Sequence, residues 1–250
     1  MTSETIKVFH NAGELAHFAA GRFLKNAEAA VSARGRFAVA LSGGSTPLAL
    51  YAELAGHFRE HREDRDLLKR IHFFFGDERA VPPKHEDSNY RAARDALFYN
   101  IKLPKENIHR IRTELPPGEA AAAYEDELKS FFGLAEGQWP VFDLVFLGMG
   151  ADGHTASLFP DTPALGEVRA WVVANRVEKL NAHRITLTAP VFNHAREVIF
   201  MICGLDKAET LNLVLHGPSQ PETWPAQLIA PENGELLWLL DREAASGLMV

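Results

Sequence analysis

Residues 142–160 read Phe142-Asp-Leu-Val-Phe-Leu147 and then Gly148-Met-Gly-Ala-Asp-Gly-His-Thr-Ala-Ser-Leu-Phe-Pro160. The first six residues are an apolar run of strand character. The remaining thirteen form a tight loop carrying three glycines, a carboxylate and an imidazole. Glycine lets a backbone come close to a ligand, and histidine is the side chain best suited to move protons near neutral pH. A strand that ends in such a loop is the unit from which open α/β sheets build their binding sites.

The same unit recurs along the chain. Phe37–Leu41 and Ile71–Phe75 read as buried strands, as do Val198–Cys203 and Leu236–Leu240. Trp171–Ala174 and Arg184–Thr188 read as further strands. Helical patterns separate them over Pro47–His61, Ser88–Phe98, Glu119–Phe132 and Lys207–Leu215. Continuous apolar strands alternating with helices predict a mainly parallel sheet covered on both faces. The expected fold is therefore α/β: one Rossmann-like domain over residues 1–250, with room for a small added segment in the Pro-rich region 216–231. Four polar clusters come after the strands, at Ser42–Pro47, Gly76–Pro82, Gly148–Pro160 and Gly204–Lys207, which points to one shared crevice.

Composition narrows the partners. The chain has 250 residues, 46% hydrophobic and 24% charged, which is ordinary for a globular protein. A formal net charge of −7 argues against nucleic-acid binding. No segment approaches the ~18–20 apolar residues of a membrane helix, and Met1–Asn11 lacks an apolar leader core. A cytoplasmic monomer with no membrane partner is expected. The single cysteine, Cys203, sits in an apolar run and reads as a buried, inert thiol.

Each cluster has its own chemistry. In Ser42-Gly-Gly-Ser-Thr-Pro47, Ser45 or Thr46 can cap the following helix and Pro47 suits its first turn. Gly43 and Gly44 expose N–H groups at the positive helix end, a cradle for phosphate or another anion. The alternative is an ordinary strand–helix turn. Arg79, in Gly76-Asp-Glu-Arg-Ala-Val-Pro82, is able to hold an anion with two hydrogen bonds; taken alone, a solvated charged loop is the more common reading. Arg184 and Lys207 each offer a cation, against the commoner reading of a surface charge.

His154 is the candidate general base. Near a short helix start it would be held neutral by the helix dipole, the form that accepts a proton, with Asp152 able to orient either the imidazole or its substrate. Gly148-x-Gly-x-x-Gly153 also spells a dinucleotide fingerprint, but Pro160 and Pro163 cut short the helix that motif requires. His57-Phe-Arg-Glu-His61 matches an inverted zinc-peptidase pattern, yet it lies in a charge-rich run that reads as an exposed helix end. Neither a cofactor nor a metal is expected.

Taken together, the motifs Ser42–Pro47, Asp77–Pro82, Gly148–Pro160, Arg184-Ile-Thr-Leu-Thr188 and Gly204-x-x-Lys207-Ala208 resemble the 6-phosphogluconolactonase family, in that family's order and over residues about 37–210. The resemblance implies the fold shared with glucosamine-6-phosphate deaminases and ribose-5-phosphate isomerases. It implies hydrolysis of 6-phospho-D-glucono-1,5-lactone to 6-phospho-D-gluconate, in the oxidative pentose phosphate pathway. His154 carries over as the base that activates water. The phosphate would be held by Ser42, Gly43, Gly44, Ser45 and Thr46 with Arg184 and Lys207. Arg79 or glycine-loop N–H groups would meet the oxyanion. Two differences separate the chain from the related deaminases: Phe159 stands where they place a Glu, and Arg79 where they favour Tyr. One departure from the lactonases is Lys179-Leu-Asn181, where the family often reads Lys-Pro-Pro.

Overall fold

A computed structural model describes residues 3–135 and 137–248; Met1, Thr2, Glu136, Met249 and Val250 lie outside the described residues. The chain opens with β1 (Ser3–Phe9) and the long helix α1 (Ala12–Arg34), followed by β2 (Phe37–Leu41) and α2 (Ser45–Glu60). A short α3 (Arg65–Leu68) leads to β3 (Ile71–Phe75), β4 (Asp77–Arg79), α4 (Asn89–Ala96) and α5 (Pro117–Phe132). Then come β5 (Leu144–Leu147), β6 (Val172–Val177), β7 (Ala182–Leu187) and α6 (Ala189–Asn193). The chain finishes with β8 (Glu197–Ile202), α7 (Ala208–His216) and β9 (Glu235–Asp241).

Six strands form one sheet in the order β1-β9-β8-β5-β2-β3, and every pairing in it is parallel. Parallel strands need both faces covered, and β2, β5 and β8 are buried at every residue. Large rings fill the core: Phe23 meets Phe37 edge-on at 5.2 Å, and Phe200 stacks on Trp238 at 4.0 Å.

The order of strands locates the site. From β2 the chain moves outward to β3, then returns on the other side of β2 to lay down β5, β8 and β9. β2 and β5 are hydrogen-bonded neighbours, Val39 opposite Leu144, so the direction of winding reverses between them. Ligands of open α/β sheets bind outside the carboxyl ends of strands at such a reversal. The loops leaving β2 and β5 there are Ser42–Gly44 and Gly148–Pro160.

Two readings of the sequence are corrected. The strands expected at 171–174 and 184–188 do not extend the parallel sheet. They become β6 and β7 of a separate antiparallel sheet, β4-β7-β6. Asp77-Glu-Arg79, read as a charged loop, is its third strand, with Asp77 and Glu78 buried. The cause is tertiary: Asp77 accepts from Ser157 Oγ at 2.6 Å and Asn89 Nδ2 at 3.1 Å, so the carboxylate is satisfied without water. Glu78 takes N–H donors from Arg79, Asn89 and Tyr90, each at 2.8 Å, and pins the N-terminus of α4. Burial nevertheless holds its carboxyl above the usual range.

Candidate active site

The glycine loop after β2 is shaped by the helix behind it. α2 begins at Ser45, so its N-cap is Gly44 rather than Ser45 or Thr46, and no side chain caps it. The first-turn N–H groups of a helix lack intrahelical partners; here they face the crevice at the positive end of the dipole. Tyr51 OH donates to Ser42 O at 2.6 Å and fixes the loop's start. Ser42 Oγ is buried with no hydrogen-bond partner among the described residues. A buried hydroxyl in that state is costly unless a ligand completes it. Gly43 is obligatory for a different reason: a Cβ there would lie 1.9 Å from Asn89 Oδ1.

The loop after β5 is held at many points. Thr155 Oγ1 donates to Gly148 O at 2.8 Å, Thr210 Oγ1 to Ala151 O at 2.7 Å, and Ala226 N to Gly153 O at 2.9 Å. Ala156, which lines the crevice, takes a left-handed φ of 47°. That backbone is rare for a residue with a Cβ and tends to persist where surroundings enforce it. No helix starts at His154, contrary to expectation: residues 151–162 run through turns, and a single 3₁₀ turn follows only at Pro163–Gly166.

His154 is therefore not neutralised by a helix dipole. Burial is the main cause that lowers its pKa, to about 4, with Lys207, Arg79 and Arg184 acting in the same direction and Asp77 opposing them. Its Nδ1 lies 2.5 Å from Asp152 Oδ1. A carboxylate only accepts, so Nδ1 carries the proton and Nε2 the lone pair. Phe159 stacks on the imidazole at 4.1 Å and 20°. The residue that stands where a deaminase has Glu is thus an apolar plate under the ring. Lys179 Nζ pairs with the other oxygen of Asp152.

A cavity of about 320 Å³ brings together Ser42–Thr46, Asp77, Arg79, His154 and Lys207, within the ~300–1,000 Å³ of small-molecule sites. Arg184 does not line it. Arg184 lines an adjoining recess of about 390 Å³ with Asp152, Phe159 and Lys179, and Arg79 and His154 border both. Despite the Lys179-Leu-Asn181 departure, Arg184 is held in register because β7 is paired on both sides: Arg79 and Asn175 both stand opposite Arg184. Instead of prolines, Asn181 turns the chain at φ 45°.

Cys203 also differs from expectation. It is half-buried and lines the crevice, its thiol pushed up to about 11 chiefly by burial, so it stays uncharged. His57 Nε2 bonds Asp64 Oδ2 at 2.7 Å, and its ring stacks on His61. Among the described residues no group of three or more His, Cys, Asp or Glu is arranged to hold a metal. No helix there is long and apolar enough to cross a membrane. Three residues at the site, Ser157, Asn89 and Asp77, went unread in the sequence as contributors to it; their only signal was position, within or beside motifs that were noted.

The fold and the crevice define a Rossmann-like α/β protein in which a glycine loop, an uncapped helix N-terminus and a neutral imidazole line one cavity. Residues 10–238 match the family described as glucosamine-6-phosphate isomerases/6-phosphogluconolactonase, and the chain belongs to that family. A 6-phosphogluconolactonase from Synechocystis sp. is 43% identical over 224 residues, 88% of each chain. The Homo sapiens 6-phosphogluconolactonase is 40% identical, covering 98% of this chain and 94% of its own length. The solved 6-phosphogluconolactonase from Trypanosoma cruzi superposes with a TM-score of 0.87 at 31% identity, over 100% of this chain and 99% of its own.

Proposed function

We propose that this crevice hydrolyses 6-phospho-D-glucono-1,5-lactone to 6-phospho-D-gluconate, the lactone-opening step of the oxidative pentose phosphate pathway, with His154 as general base. Named 6-phosphogluconolactonases that match nearly the whole chain support the reaction. The observation that carries the mechanism is an imidazole with a free Nε2 lone pair, lining the same cavity as an uncapped helix N-terminus and Lys207.

Each step uses a group at a stated position. The substrate phosphate sits on the Gly43–Ser45 loop, where backbone N–H groups, Ser42 Oγ and Lys207 complete its oxygens. This anchor brings the lactone carbonyl beside His154. Nε2 takes a proton from water as the water oxygen attacks the carbonyl carbon. Asp152 keeps the proton on Nδ1 and the ring in place. Negative charge develops on the carbonyl oxygen, and Arg79, bordering both recesses, is the nearby cation to meet it. The tetrahedral species collapses, the ring C–O bond breaks, and the imidazolium returns its proton to the departing ring oxygen. The product acid then ionises.

A lactone is already activated, so one base, one water and a phosphate anchor suffice. Ring-opening and deamination of an amino sugar call for a further carboxyl group, and Phe159 occupies that place. The test is hydrolysis of freshly generated lactone, corrected for its spontaneous opening, beside glucosamine 6-phosphate. Wild type should turn over only the lactone. His154→Ala should lose ~10²–10⁴ in kcat with phosphate-ligand affinity nearly unchanged. A kcat within a few-fold of wild type would remove His154 from the role.

A further inference from the structure

We propose that Lys179 is a positioning residue for the reaction: seated on the β6–β7 turn, it holds Asp152, and through Asp152 the ring of His154, in the reacting orientation. This rests on the reading of His154 as the base.

Four side chains form a closed circuit of contacts. Asp152 spends one oxygen on His154 Nδ1 and the other on Lys179 Nζ. The Lys179 ammonium lies 5.1 Å from the centroid of the Phe159 ring, and that ring stacks on His154. Lys179 thus touches both groups that fix the imidazole, one by charge and one by the face of an aromatic ring. Its own backbone is anchored. β6 and β7 pair out to Val177 opposite Ala182. The turn closes with Asn181 N donating to Glu178 O at 2.9 Å, and Arg176 Nη2 donating to Asn181 Oδ1 at 2.7 Å.

A half-exposed lysine–carboxylate pair ordinarily does little for stability. Here the carboxylate is the orienting partner of a base, so the pair acts on geometry and charge at the imidazole. The charged and titratable groups facing His154 are Asp77 and Arg79 on β4, Arg184 on β7, Lys207 after β8, and Asp152 in its own loop. Cys203 borders the same cavity as a neutral thiol. Among these, Asp152 is the anion in direct contact with the ring. Lys179 offsets that anion, so Asp152 can orient the ring without drawing a second proton onto it.

Lys179→Gln should lower kcat by about 10- to 100-fold, as a lost supporting contact does, with KM for the lactone nearly unchanged. The acidic limb of kcat/KM should move to higher pH, because an uncompensated Asp152 favours the imidazolium. Lys179→Arg should restore both. The thermal midpoint, read alongside, reports whether the variants fold. An unchanged kcat with an unmoved acidic limb overturns the proposal. So does a raised KM at wild-type kcat, which would make Lys179 a substrate anchor. His154→Ala is run in parallel. If it stays active, the base itself is misassigned; if it is dead while Lys179→Gln is unaffected, only the role of Lys179 falls.

Discussion

Gly150 is what allows His154 and Asp152 to meet. A Cβ at that position would stand 2.1 Å from His154 Nδ1 and 2.6 Å from Asp152 Oδ1, far inside any real contact. Gly150→Ala should therefore push the pair apart and lower kcat by ~100-fold, the scale of a 1 Å misplacement. The thermal midpoint should barely move, because the clash falls on two partly exposed side chains. A wild-type kcat in this variant would mean that the pair is not needed in its present geometry. From the sequence, Gly150 was one of three glycines in a loop. Which of them made room for the catalytic pair depends on where the His154 ring turns, and no local pattern encodes that.

The antiparallel sheet sets up a different tension. Arg79 on β4 and Arg184 on β7 stand directly opposite each other, an unfavourable placement for like charges. Burial and the neighbouring Arg79 hold the Arg184 guanidinium below its ordinary pKa. An anion bound between the two would relieve that repulsion. Arg184→Gln should raise the thermal midpoint of the ligand-free protein while raising KM, by the ~1.5–3 kcal/mol of a charge-assisted hydrogen bond. Lys207→Ala should raise KM with no such gain, since Lys207 already pairs with Asp206 at 2.8 Å. Normal KM in both variants would refute the anion-binding assignment. Elements differ in how far they could be read. β2 coincides with its apolar run because a strand buried on both faces must be apolar throughout, and β3 follows it except at the half-buried His72. The helix α1 went unread. Its buried face is filled largely by alanines, at 16, 19, 20, 27 and 30, and alanine blurs the helical period although it allows close packing.

At the scale of the molecule, two imidazoles couple stability to pH. His154 and His72 are both lowered to about 4, each chiefly by burial; His109 and Arg36 add to the effect at His72. The ordinary imidazole value is near 6.5. Between 6.5 and about 4 the unfolded chain therefore takes up protons that the folded chain refuses. The stability these groups contribute is present above about 6.5 and is lost as the pH falls through that window. The midpoint of unfolding should decline below about pH 6.5, and His72→Asn should make the decline shallower without altering kcat at neutral pH. His72 suits this test because it sits on β3 at 3.1 Å from His109, outside the residues that line the crevice. An equal decline in the variant would exclude His72 as a source.

The class of fold, the strands buried on both faces and the loops that leave them were all legible in the order of residues. Apolar runs and glycine-rich turns are local signals, set by burial period and backbone freedom. His154, Asp152 and Lys207 were legible too, as chemistry-bearing residues within those loops. The departure of β4, β6 and β7 from the main sheet was not; it emerges when the chain packs. So do the burial of Asp77 and Glu78, and the seat of Phe159 under the imidazole, backed by Lys179. The two buried carboxylates depend on partners such as Ser88 for Glu78 and Ser157 for Asp77, 10 and 80 residues away in the chain. A carboxylate's burial, or a ring's pKa, is fixed by what surrounds it in space. The histidine is written in the sequence; its neutrality comes from the burial and the cations that folding assembles around it.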